Sequence, residues 1–175
     1  EADANVTGGE NELATFLPRL QSFIAALPSH DLPEALWQPA ALAGDEGLTL
    51  PAQVNYVGKA ANLYDYGYTL HGATQVAVKL LDGSWIWDRI RVQGGAYGGF
   101  CTFNSYSGVL AFLSYRDPNV LSTLQAYDGA ADFLRRTDWS QSEVDKTIIG
   151  VIGQIDSYEL PDSKGYTSLL RTLNG

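Results

Sequence analysis

The sequence predicts an α+β domain, an antiparallel sheet with helices packed on one face. Three observations carry this expectation. Five or so segments place apolar residues at helical spacing, and three others are rich in β-branched and aromatic residues. Two of those three are separated by only Ser105-Tyr106-Ser107. So short a connection makes them a hairpin, and a hairpin makes the sheet antiparallel.

The opening 1–12 is polar and Gly-rich, as a flexible terminus would be, and a single domain is expected over 13–175. Leu13, Phe16, Leu17, Leu20, Phe23, Ile24 and Leu27 form one face of an amphipathic helix. Pro18 lies inside that pattern and should begin or bend its regular part. His30 to Gly47 carries Pro33, Pro39 and a Gly44-Asp45-Glu46-Gly47 turn, and reads as a loop anchored by Leu36 and Trp37. Leu48 to Val57 is a strand candidate through Val54, Tyr56 and Val57. A helix follows over Tyr68 to Leu81, and Ser84 is placed to cap a short helix holding Trp85 and Trp87 that runs into Arg91.

Ala96 to Asn104 and Gly108 to Tyr115 are the hairpin strands. Asp117-Pro118 reads as a helix start, a carboxylate cap followed by proline at the first helical position. Ser140-Gln141-Ser142-Glu143 is a capping box, and Pro161 opens a last helix. Three strands are few for so many helices, so a further strand is expected upstream of the chain, its absence leaving an exposed edge.

Composition narrows the partners. With 175 residues, 45% hydrophobic and 18% charged, the chain can bury a core. It has no apolar run of about 18 residues, and neither a membrane nor a targeting leader is expected. It opens at Glu1 and has no methionine, which reads as a processed product or a piece of a longer, truncated protein. A net charge of −9 argues against nucleic acid. That charge would attract a basic ligand, or simply keep the protein soluble. A single cysteine permits no internal disulfide and fits a reducing compartment, so the sequon Asn5-Val6-Thr7 is discounted.

The chemistry concentrates in Arg91-Val92-Gln93-Gly94-Gly95-Ala96-Tyr97-Gly98-Gly99-Phe100. Its four glycines clear side chains from what otherwise reads as strand, which suits close approach by a ligand. Arg91 and Tyr97 frame the gap and could grip a peptide backbone or an oxyanion. The stretch holds no base, nucleophile or metal ligand. Elsewhere His30 and His71 are the only histidines and have no metal-ligand spacing. No Gly-x-Ser-x-Gly elbow and no phosphate loop are present. Cys101 is either a buried small hydrophobe or, if exposed, a redox-sensitive thiol. Asp88, Arg89 and Arg91 bunch near a helix end, where cations offset the helix dipole.

The run from Trp87 to Phe100, with Ser114-Tyr115-Arg116-Asp117-Pro118-Asn119 and Thr123-Leu124 after it, resembles the pitrilysin-type zinc metallopeptidases. Within them it is most similar to the presequence protease branch, organellar peptidases that degrade cleaved targeting peptides. Val54-Asn55-Tyr56-Val57-Gly58-Lys59 and Ile148-Ile149-Gly150-Val151-Ile152-Gly153 are similar to the same branch, so the resemblance spans about Leu13 to Leu173. It implies a large ATP-independent enzyme of four related domains in two bowl-shaped halves around a chamber. The first domain would carry zinc on an HxxEH motif; this chain resembles the fourth.

By that resemblance Tyr97 would donate to the scissile carbonyl as it becomes an oxyanion, in trans to the zinc site. Arg91 would hold a neighbouring carbonyl, with Gly94 and Gly95 beside the substrate. The implied partners are the N-terminal half of the same polypeptide and basic unstructured peptides. The implied location is the mitochondrial matrix or chloroplast stroma. The chain lacks HxxEH, so alone it should not hydrolyse peptides. A non-catalytic scaffold of the same fold is the alternative.

Overall fold

The computed structural model describes residues 4–28, 36, 38 and 44–174. They belong to two compact units, Leu50–Ser157 and Glu1–Thr49 with Tyr158–Gly175. In chain order the elements are α1 (Glu10–Ala25), β1 (Asn55–Asn62), α2 (Ala73–Leu81), a π-helical segment (Asp82–Gln93), β2 (Gly98–Phe103), β3 (Val109–Asp117), α3 (Leu121–Arg136), α4 (Gln141–Ile155) and α5 (Pro161–Asn174).

The larger unit is α+β. Its three-stranded antiparallel sheet has the order β1-β3-β2, leaving β1 and β2 at the edges. The β2–β3 hairpin is closed by Asn104, whose side-chain oxygen accepts the N–H groups of Tyr106 and Ser107 at 2.9 and 3.1 Å. Gly108 follows at φ +75°, where a Cβ would also strike the Tyr64 ring. One sheet face carries Val57, Cys101 and Phe112 inward, and Phe112 stacks on Tyr127 of α3 with centroids 5.4 Å apart. Phe100 and Leu113, on the opposite face, are exposed.

Ile86 and Ile90 of the π segment are the core's largest fully buried aliphatics. Burying such a side chain is worth about 1.5–3 kcal/mol. Gly99 makes their approach possible, because a Cβ there would lie 2.8 Å from Ile90 Cγ2 and 3.0 Å from Ile86 Cγ2. Asp82 joins the same segment to the sheet by accepting the Cys101 N–H at 2.9 Å. Tyr127 donates to the Val57 carbonyl at 3.2 Å. Burial pushes its phenol up to about 12, more than the Ser114 hydroxyl pulls it down, and Asp117 adds to the rise.

Several boundaries differ from expectation, each for a local reason. β1 runs over Asn55–Asn62 instead of ending at Val57. Pairing along β3 carries the strand through Gly58-Lys59-Ala60-Ala61, residues of weak strand preference. Ser84 caps nothing. α2 passes unbroken into the π segment, and the Ser84 hydroxyl turns back to the Leu80 carbonyl. Asp117 likewise is not an N-cap: α3 starts after Val120, and Asp117 is the buried end of β3.

In the smaller unit α1 begins at Glu10, inside the polar opening, where the Gly9 N–H bonds Glu12 at 3.0 Å. Pro18 sits within α1, and its carbonyl accepts the Ser22 hydroxyl at 2.9 Å. The Pro161 start of α5 follows the sequence pattern, as does the Ser140 capping box of α4 in the larger unit. In that box the Ser140 hydroxyl and N–H both donate to the Glu143 carboxylate, at 2.6 and 3.0 Å, and hold it below the usual range. The loop expected over His30 to Gly47 lies largely outside the described residues, as do His30 and Trp37; Leu36 is exposed. Among the described residues no helix is long and apolar enough to cross a membrane.

Candidate functional site

Arg91 and Tyr97 meet at the joint between the π segment and β2. The glycine-rich stretch is not extended throughout: Arg91 to Gln93 are helical, and β2 begins only at Gly98. Gly94 and Gly95 end the helix. Gly95 lies at φ +76°, the Ala96 N–H bonds the Ile90 carbonyl at 3.1 Å, and the Gly95 N–H bonds the Arg91 carbonyl at 3.2 Å. This is a left-handed glycine stop of the Schellman kind, widened by the π winding. A Cβ at Gly94 would lie 2.6 Å from the Ile90 carbonyl oxygen. These two glycines therefore turn the chain sharply enough to return Tyr97 over Arg91.

The Arg91 guanidinium donates to the Tyr97 main-chain carbonyl through Nη1. It also lies 5.0 Å from the Trp87 ring centroid and 5.5 Å from that of Tyr97. Tyr97 is 64% exposed. Its ring meets the Tyr115 ring edge-on at 5.6 Å, and its N–H is shared between the carbonyls of Tyr115 and Arg116 at 3.1 and 3.3 Å. An arginine has five N–H donors. Those not given to Tyr97 are available for an incoming carbonyl, beside a phenol that can donate to the next.

The β3 terminus braces this joint. The buried Asp117 accepts the Asn119 N–H at 2.8 Å and the Thr123 hydroxyl at 2.7 Å. Asn119 in turn donates its side-chain amide to the Gly94 carbonyl at 2.7 Å. Arg89 takes the other side of the π segment. It lies 4.6 Å over Trp85 and borders a cleft of about 470 Å³, along with Gln93, Asn119 and Thr123.

Cys101 does not join the site. It is 4% exposed in the core, and burial, with the Asp82 carboxylate adding, pushes its thiol up to about 12. That corrects the redox alternative, which needed an exposed thiol of lowered pKa. His71 accepts the Ala73 N–H at 3.1 Å through Nδ1, a local role at the start of α2. Among the described residues no group of three or more His, Cys, Asp or Glu could hold a metal.

Trp87, Tyr115, Arg116 and Asn119 are supporting residues that the sequence marks as part of its motif but to which it assigns no role at the site. One signal was present. In Trp85-x-Trp87-x-Arg89-x-Arg91 each arginine follows a tryptophan by four residues, a spacing that places both on one helix face.

The fold and site define a class: an α+β domain that presents a guanidinium and a phenol from a helix–sheet joint. The chain belongs to the family described as the PreP C-terminal domain, whose model matches residues 45–175. It is 49% identical over 172 residues to presequence protease 1, chloroplastic/mitochondrial, of Arabidopsis thaliana, covering 98% of the chain and 16% of that protein. It is 33% identical over 159 residues to protein HypA of Clostridium perfringens (strain 13 / Type A), covering 91% and 16%. Against the mitochondrial presequence protease of Mus musculus it is 32% identical over 125 residues, covering 71% and 12%. The chain thus spans less than a fifth of the length of these relatives.

Proposed function

We propose that the chain is the substrate-contacting C-terminal domain of a zinc metalloendopeptidase with a pitrilysin-type fold. The full-length enzyme would degrade cleaved targeting peptides and other short unstructured peptides in the mitochondrial matrix or chloroplast stroma, without ATP. The names of the Arabidopsis and mouse relatives support that activity and those compartments. By the family resemblance the zinc would be held by the N-terminal half of the same polypeptide. No step of this domain runs through it.

The observation that carries the proposal is the exposed Tyr97 phenol packed against the Arg91 guanidinium. In peptide hydrolysis the scissile carbonyl oxygen gains negative charge. A phenol donor placed there stabilises the transition state more than the ground state. Arg91 would hold a neighbouring carbonyl and keep the peptide in register. The net charge of −9 supports attraction of basic peptides. Nucleic acid and membrane are not proposed partners.

The test is cleavage of an unstructured peptide by the full-length enzyme carrying Arg91→Ala or Tyr97→Phe. The proposal expects kcat/KM to drop in both. Unchanged cleavage in both would leave the domain a non-catalytic scaffold.

A further inference from the structure

We propose that Arg116 is a positioning residue for Tyr97, an inference that rests on the proposed catalytic role of that phenol. Arg116 is the non-glycine residue with a positive φ, +49°, among those described. An L-residue is strained there, and persists where something else holds it. The strain coincides with a β-bulge. Asn55 pairs with Asp117 and Val57 with Ser114, so Tyr56 alone faces both Tyr115 and Arg116.

The bulge grips Tyr97 twice. Its two carbonyls, of Tyr115 and Arg116, share the Tyr97 N–H. Its side chains then pack against the ring. The Arg116 guanidinium lies 6.0 Å from the Tyr97 centroid and 5.5 Å from that of Tyr115, which also packs against Tyr56 at 5.5 Å. With Arg91 also over the ring, Tyr97 is flanked by two guanidinium groups. The backbone bonds need no side chain at 116, and glycine would form them without strain. What only arginine adds is a planar cation on the Tyr97 ring, fixing where the phenol points.

The experiment compares Arg116→Gly, Tyr97→Phe and the double variant in the full-length enzyme on an unstructured peptide. Arg116→Asn, whose side chain also tolerates the left-handed region, is measured alongside in case the glycine variant folds poorly. Both Arg116 variants should melt at or above the wild-type temperature. Their kcat should fall by about two- to fivefold, the worth of one exposed cation–π contact, with KM nearly unchanged. In the Tyr97→Phe background the same change should cost nothing further. Full kcat in both Arg116 variants, or an undiminished loss in the Tyr97→Phe background, would overturn the inference. A Tyr97→Phe enzyme with full kcat would instead overturn the role of Tyr97 on which it rests.

Discussion

Arg91 binds Tyr97 in two ways at once: its guanidinium donates to the Tyr97 carbonyl and lies over the Tyr97 ring. The same guanidinium also lies 5.0 Å from the ring centroid of Trp87, four residues back on the helix. These contacts hold the cation in place, so little rotamer freedom would remain to be lost in the proposed binding of a peptide. Replacing Trp87 removes one of these contacts and leaves the donors in place. Trp87→Ala in the full-length enzyme should raise the peptide KM by about two- to fivefold, from roughly 0.5–1 kcal/mol for an exposed cation–π pair. Steady-state kinetics at several peptide concentrations would check this.

The turn that returns Tyr97 over Arg91 depends on backbone freedom. Gly95→Ala places a Cβ at φ +76° and should lower unfolding stability by about 1–2 kcal/mol. Gly99→Ala acts by crowding, driving a methyl into Ile86 and Ile90, and overpacking of this kind costs about 1–3 kcal/mol. Urea denaturation followed by the tryptophan signal would measure both. A neutral Gly99→Ala would mean that the helix and sheet can move apart without loss.

Much of this was legible in the chain because local chemistry and final structure agree. The hairpin, the Ser140 capping box and the Pro161 helix start all follow from residues within a few positions of one another. Arg91 and Tyr97 read as a pair because glycines fill the gap between them, but the sequence presents those glycines as a cleared strand, whereas Gly94 and Gly95 end a helix. Ser84 and Asp117 misled because each is a good cap whose side chain is used elsewhere. Ser84 bonds one turn back, and Asp117 anchors Asn119 and Thr123. Arg116 lies in a motif the sequence marks, but its left-handed conformation is not readable there. Its conformation arises from the register of β1 against β3, a long-range pairing.

Two buried acids make the fold less stable as the pH turns alkaline. Cys101 moves from 9.0 to about 12 and Tyr127 from 10.0 to about 12, both chiefly through burial. Below both unfolded values each state keeps these protons, and their contribution to stability is complete. As pH rises past 9.0, and then 10.0, the unfolded chain loses the protons first while the folded chain retains them. Stability therefore falls with pH until the folded groups also ionise, near 12. Denaturant midpoints measured from neutral to strongly alkaline pH should show this decline, with a shallower slope in Cys101→Ala.

The same burial makes Cys101 unreactive. A thiol-specific reagent near neutral pH should label the folded chain slowly and the urea-unfolded chain quickly. Rapid labelling of the native form would show that the core around Cys101 opens readily.

The central claim is that Tyr97 acts on the oxyanion and not on the resting peptide. A peptide phosphinate, which mimics the tetrahedral intermediate, separates the two. In the full-length enzyme, Tyr97→Phe should weaken phosphinate binding by about 10²-fold, the usual cost of one oxyanion donor. Binding of the matching uncleaved peptide should barely change. Equal weakening of both ligands, or of neither, would contradict the account.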